Sequence, residues 1–284
     1  MNTRPMTSLI ERLKVPTGPV DLTAYASDDQ SSFDGTKDDA PAAMEKLQAK
    51  LTSLQECLYA NGSIDGATKR VVVLLQGMDT SGKGGVIEKA VGLVSPQGLA
   101  ITSFKRPTDE ELAHDFLWRI GKAVPKPGYV GVFDRSQYED VLIGRVRKLA
   151  TDAEIERRYD AINTFEAGLA ADGVTLIKCF LHITSDDQKE RLEARLDDST
   201  KHWKFNPGDI DERMLWDDYQ HAYEIALERC NTDAAPWFVI PSGSKWLRNW
   251  AVAQLLAEHL EGMNLEWPAA DFDVAEQKAR LAAT

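Results

Sequence analysis

The chain predicts an α/β fold: a doubly wound, five-stranded, mainly parallel sheet flanked by helices, with a helical lid. Five short runs rich in β-branched and aromatic residues alternate with segments of helical spacing. One of them, Val71–Leu75, passes at once into a glycine-rich turn and then a helical segment. Basic or acidic residues follow three of the runs, where an open parallel sheet binds its ligands. With 284 residues, 43% of them hydrophobic, there is material for one such domain with a helical extension, or for two small domains.

Residues 1–38 are rich in Ser, Thr, Asp, Gly and Pro and lack periodicity, which predicts an extended N-terminal arm. Residues 39–267 form the expected main domain, with a lid at about 186–215, and residues 268–284 a peripheral tail. Asp38-Asp39-Ala-Pro41 opens a helix whose apolar face is Met44, Leu47, Leu51, Leu54 and Leu58, and Asn61-Gly62 ends it. Val71–Leu75 is the first strand, and Val86–Val94 has helical spacing. Leu99–Phe104 is the second strand. Thr108 and Glu111 make a capping box for a helix reaching about Val124, where Pro125, Pro127 and Gly128 break it. Tyr129–Phe133 is the third strand, followed by a helix through Val141, Leu142, Val146 and Leu149. Thr151 caps the next helix, and Val174–Ile183 is the fourth strand. Ser185 and Gln188 read as a further box opening a helix to about Leu196. Asp197–Pro207 is a polar connector, Ile210–Arg229 one long helix, Trp237–Ile240 the fifth strand, and Ser244–Glu261 the closing helix.

The glycine turn reads Gly77-Met-Asp79-Thr80-Ser81-Gly82-Lys83-Gly84-Gly85. Between a strand and a helix, its spacing is that of a phosphate-binding loop. Glycines let backbone N–H groups turn inward, and Lys83 reaches the outer phosphates. Gly84 stands where such loops usually carry the Ser or Thr that holds Mg²⁺, and Asp79 is the nearest substitute. Asp134, at the end of the third apolar run, is placed to hold a metal directly or through water, or to cap the next helix. Lys105, Arg106 and Arg135 also follow strand ends.

Arg191 and Arg195 are four apart and share one helix face, either facing phosphates or paired with nearby acids in solvent. Lys201 and Lys204 follow in the connector and Arg213 opens the next helix, so this segment has the character of a basic lid. Trp203 and Trp216 suit stacking on a base or plain packing. The five histidines show no metal-ligand spacing, and no Ser/His/Asp arrangement stands out. A net charge of −12 argues against a general nucleic-acid binder, though a site is built from local geometry. No apolar run is long enough to cross a membrane, and the N-terminus has no signal-like core. Cys57, Cys179 and Cys230, odd in number and widely spaced, fit a reduced cytoplasmic protein.

These residues together resemble the polyphosphate kinase 2 family, a branch of P-loop kinases. The likeness rests on Gln76-Gly77-Met-Asp79-Thr-Ser-Gly82-Lys83-Gly84-Gly85, on Ser103-Phe-Lys105-Arg106 through Arg119, and on Val132-Phe-Asp134-Arg135-Ser-Gln-Tyr138-Glu139-Asp140. Gln188-Lys-Glu-Arg191-Leu-Glu-Ala-Arg195, Lys201-His-Trp203-Lys204, Pro236-Trp237 and Lys245-Trp-Leu-Arg248-Asn continue it over about residues 40–262. Gly84 is part of the family pattern. The resemblance implies Mg²⁺-dependent transfer of a terminal phosphoryl group between inorganic polyphosphate and a nucleotide. The wording is closest to the branch that accepts nucleoside mono- and diphosphates. That branch often has Asn where this chain has Asp134, so the branch stays open, as does the direction of transfer.

On this reading Lys83 holds the transferred group, while Arg135, Arg191 and Arg195 stabilise its charge. Asp79 and Asp134 hold Mg²⁺. Gly77, Thr80, Ser81, Gly82, Gly84 and Gly85 cradle phosphate. Lys204 and Arg213 assist from the lid, and Lys105 and Arg106 bind phosphate away from the reacting centre. The partners implied are polyphosphate, adenine nucleotides with guanine as the further base, and other copies of the chain. Two alternatives stand beside it. An ATP-dependent nucleotide kinase would carry Ser or Thr at 84, and a non-catalytic phosphate module would lack a carboxylate at 79 or 134.

Overall fold

The structure, a computed structural model, describes residues 8–284. Five strands, β1 (Arg70–Gln76), β2 (Leu99–Ser103), β3 (Val130–Asp134), β4 (Val174–His182) and β5 (Trp237–Pro241), pair in the order β2-β3-β1-β4-β5, all parallel. The helices are α1 (Leu9–Leu13), α2 (Ala40–Asn61), α3 (Lys83–Lys89), α4 (Asp109–Leu112), α5 (Trp118–Ala123) and α6 (Glu139–Val146). They continue as α7 (Asp152–Ala171), α8 (Ser185–Asp197), α9 (Gly208–Arg213), α10 (Trp216–Arg229), α11 (Lys245–Gly262) and α12 (Val274–Ala282).

Alternation along β1 builds two cores. Val71, Val73 and Leu75 pack with Leu47, Leu51 and Leu58 of α2, Val86 of α3 and Leu255 and Leu256 of α11. Val72 and Leu74 face the other way, onto a core shared by α6, α7 and α10 through Val141, Tyr159 and Tyr223. A strand buried on both faces needs an unbroken apolar run, which is what 71–75 supplies. The chain leaves β1 for the β2 edge but leaves β3 for the β4 side. The crevice where those directions part lies between the C-terminal ends of β1 and β3, where Leu75 is in register with Asp134.

Several expected boundaries shift. The helix predicted from Thr108 to Val124 is two, because the Asp115 carboxylate accepts from the Leu117 N–H at 3.0 Å and turns the chain. The long helix predicted over 210–229 is also two, joined by a tight turn in which Leu215 N–H donates to the Glu212 carbonyl. The box that opens α8 is Thr184 with Asp187, one residue before the predicted pair. The polar connector forms a 3₁₀ turn over Ser199–Lys204, capped by Asp198.

The stretch predicted as an extended arm contains α1, capped by Ser8. It lies along the β5 edge, where Val15 N–H donates to the Trp237 carbonyl at 2.9 Å and Lys14 bridges Phe238. Glu258 of α11 accepts from the N–H groups of Leu9 and Ile10. Further on, Ser27 O accepts from Gly243 N–H at 2.7 Å, Ser27 Oγ donates to Asp187 at 2.7 Å, and Tyr25 O meets the His182 ring. The arm therefore clamps the ends of β4 and β5. A buried polar network fixes the turn after β3: Lys178 Nζ meets Glu166 Oε2 at 2.6 Å and Tyr138 OH at 2.9 Å, and Gln137 Nε2 donates to Glu166 at 2.8 Å.

Candidate active site

The loop after β1 holds its shape by steric necessity at two glycines. Gly77 has φ +147°, and a Cβ there would stand 2.7 Å from the Leu181 carbonyl. Gly82 has φ +108°, and its Cβ would fall on the guanidinium of Arg248. Between them Thr80, although β-branched, adopts φ 68°. Such a left-handed residue is a strained conformation that the surroundings must hold. They do so through the carbonyls. Gln188 Nε2 donates to Asp79 O at 3.2 Å, Arg191 Nη1 to Thr80 O at 3.0 Å, and Arg248 Nη1 to Ser81 O at 3.1 Å. α3 then begins at Lys83 without a side-chain cap, leaving its first N–H groups free for an anion.

Lys83 is folded back, its Nζ 2.8 Å from Gly77 O. Burial lowers its pKa, and the neighbouring Asp79 carboxylate opposes that fall. Asp79 pairs with Arg135 at 3.1 Å. Arg135 follows β3 with φ 67° and its N–H donates to Leu75 O, so the ends of β1 and β3 are tied together. Burial works against its charge, but Glu139 and Asp79 more than offset it and raise the Arg135 pKa. Asp134 has one oxygen 3.4 Å from Ser103 Oγ, while Oδ1 is buried with no protein partner. Thr80 Oγ1 is likewise orphaned. Buried polar atoms are normally satisfied, so this pair fits a site completed by a ligand.

A cleft opens from this point under the lid. Gly77, Asp79, Arg135 and Glu139 line one side, Asn206, Asp209 and Glu212 the other, with Tyr219 and Tyr223 of α10 closing it. Asp209 is pushed up to about 6 by burial and by the nearby Asp79 charge, with Arg195 opposing.

The structure brings Lys83, Asp79, Asp134 and Arg135 together at the crevice. It gives other expected residues different surroundings. Arg191 spends both terminal nitrogens on the carbonyls of Thr80, Ser242 and Gly243, behind the loop rather than in the cleft. Arg195 pairs not with an acid of its own helix but with Asp209, at 3.5 Å across the lid. Arg213 donates to Ser185 O and Gln188 Oε1, bracing the base of α8. Lys204 is exposed, over the ring of an exposed Trp203, whereas Trp216 packs on the core. Lys105 and Arg106 line a separate cleft with Phe104, Thr108 and Arg119, reached past Ser103 from Asp134. Gly84 has open space where a Cβ would go. Sequence reasoning missed Arg248 and Asp209 as parts of the site. Both lie far along the chain from the loop, and only the fold delivers them.

A family model described as Polyphosphate kinase 2 matches residues 34–268. The chain belongs to the polyphosphate kinase 2 family. It is 45% identical to a Meiothermus ruber protein named AMP/ADP-polyphosphate phosphotransferase, over 89% of this chain and 93% of that one. A Rhodopseudomonas palustris protein named ADP-polyphosphate phosphotransferase is 38% identical over 77% of this chain and 78% of its own. The crystal structure of polyphosphate kinase 2 from Arthrobacter aurescens TC1 superposes with a TM-score of 0.94 at 50% identity, covering 98% of each chain. Membership in the polyphosphate kinase 2 family makes the chain a phosphotransferase, and its five-stranded parallel sheet is that of the family's solved structure. No helix among the described residues is long and apolar enough to cross a membrane.

Proposed function

We propose that the chain transfers a terminal phosphoryl group between inorganic polyphosphate and an adenine nucleoside mono- or diphosphate, with Mg²⁺. The observation that carries this reading is the meeting of Lys83, Asp79, Asp134 and Arg135 at one crevice. It is supported by relatives named for polyphosphate and for AMP and ADP. Phosphoryl transfer needs positioning and charge neutralisation more than a nucleophile, and this constellation offers those. Lys83 exchanges its Gly77 carbonyl for a phosphate oxygen. Asp79 and Asp134 would hold Mg²⁺, and the partnerless Oδ1 of Asp134 fits that task. Bound there, Mg²⁺ would neutralise phosphate charge. Arg135 faces the developing charge and Arg195 closes on it from the lid. Arg191 acts from behind, by fixing Thr80 in its left-handed conformation.

The reading extends to a cytoplasmic setting, supported by three buried free cysteines, and to a homo-oligomer, which light scattering of the purified protein would test. The deciding assay offers ADP, AMP and the guanine counterparts to the enzyme with polyphosphate as the only donor, with and without Mg²⁺. ATP formation from ADP is expected. Turnover of AMP with ATP, with polyphosphate ignored, would sink the proposal.

A further inference from the structure

Arg248 of α11 lies 167 residues beyond Ser81 in sequence, yet its guanidinium is pressed against the back of the glycine loop. Glycine at two positions makes that approach possible. A Cβ on Gly82 would coincide with Arg248, and a Cβ on Gly85 would stand 2.6 Å from Nη2. Gly85 is helical and meets nothing else at that range, so Arg248 is the reason no side chain fits there. The side chain is 4% exposed. Its partners are all neutral: Ser81 O at 3.1 Å, and Asn249 Oδ1 at 3.1 Å from Nε and 2.9 Å from Nη2. Burial pushes Arg248 down to about 10, helped by Arg191, a second cation and the charged group that acts on it among the described residues. It is therefore still protonated at neutral pH.

A buried cation without a carboxylate is costly unless something else supplies the opposite charge. In a chain of net charge −12 there is no shortage of carboxylates to place beside it. None is there. Gly84, between Gly82 and Gly85, has open space where a Cβ would go. We propose that Arg248 is a positioning residue whose uncompensated charge acts through the loop backbone, with the bound phosphate chain as its counter-ion. This rests on the reading of the loop as the phosphate site.

The test is calorimetric binding of inorganic tripolyphosphate in Mg²⁺ buffer, beside melting curves. The proteins are wild type, Arg248→Met, Arg248→Lys, Gly85→Ala and the Gly85→Ala/Arg248→Met double variant. A unit charge about 7 Å from a phosphate, at an effective dielectric constant of about 20, corresponds to roughly 50-fold in affinity. Arg248→Met should bind about that much more weakly, and Arg248→Lys should stay within about fivefold of wild type because the charge survives. Gly85→Ala, by displacing the guanidinium, should weaken binding alone but add nothing to Arg248→Met. Wild-type affinity in Arg248→Met overturns the proposal. So does an Arg248→Lys protein that melts normally yet binds as weakly as Arg248→Met, since the neutral hydrogen bonds would then be what matters. If Arg248→Met does not fold, Gly85→Ala still decides, because undiminished binding there refutes the idea. Failure of wild type itself to bind tripolyphosphate would instead overturn the phosphate-site reading on which this one stands.

Discussion

Arg195→Ala tests the lid most directly. In the structure Arg195 Nη1 stands 3.5 Å from Asp209 Oδ2 and 3.3 Å from Lys204 O, and the side chain is 24% exposed. Those distances are long, and a partly solvated pair of this kind is worth about 0.2–1 kcal/mol. Losing it should lower the melting temperature by no more than about 2–4 °C in a chain of this size. Catalysis should respond on another scale. If Arg195 turns from Asp209 to the transferring phosphoryl group once water is excluded, its removal costs a donor in the transition state. Such losses are about 10²–10³ in rate, or roughly 3–4 kcal/mol. Because the contact forms after binding, kcat should fall while the KM for nucleotide changes little. Arg195→Lys should recover only part of the rate, since a point charge does not reproduce a bidentate grip on phosphate oxygens. The measurement is steady-state kinetics with polyphosphate as donor, beside a melting curve for each variant. An unaltered kcat in Arg195→Ala would refute the reasoning and leave the arginine as a lid-internal pairing partner of Asp209.

Further expectations follow from the same geometry. Asp134→Asn should keep the fold and lower turnover while raising the Mg²⁺ concentration needed for half-maximal rate; full activity at ordinary Mg²⁺ would reduce Asp134 to a structural residue. Gly84→Ala should melt higher by an amount worth about 0.5–1 kcal/mol, because its Cβ meets nothing and helical glycine is entropically costly, so a clear loss of stability would contradict the open space there. Asp209→Asn should show a pH-dependent gain. Its folded pKa of about 6 lies above the ordinary 3.8, so the native state favours the protonated form, fully below pH 3.8 and no longer above pH 6. The variant should thus out-melt wild type at pH 7.5 and match it near pH 4; an equal offset at both would argue against that titration.

The sheet was legible because each of its strands is an apolar run bounded by turn-forming residues, and the loop because strand, glycines, lysine and helix are contiguous. What stayed hidden is what the chain assembles from afar. Nothing near Arg248 in sequence marks it as the back of a loop that ended at residue 85. The break between α4 and α5 escaped for a local reason: Asp115 reads as an ordinary polar residue until its carboxylate caps its own turn. At α8 the spacing points to Ser185 with Gln188, whereas the fold caps the helix one residue earlier, with Thr184 and Asp187. Arg191 and Arg195 share a spacing signal yet meet different surroundings. One looks onto the loop's carbonyls and the other across the lid, a difference that periodicity does not encode.

The N-terminal clamp has a consequence for how the molecule is made. Residues 9–27 are synthesised well before Trp237, Gly243 and Glu258, on which they dock. Until then the arm lacks its contacts with the β5 edge and α11, although Asp187 and His182 are already there to meet Ser27 and Tyr25. The carbonyls of Ser242 and Gly243 that hold Arg191 are missing for just as long, so the loop lacks its rear support through most of synthesis. The nascent chain can pair β1 through β4 but cannot finish the crevice. Completion of the crevice therefore depends on β5 and the turn after it, which supply both the arm's edge contacts and the carbonyls that hold Arg191.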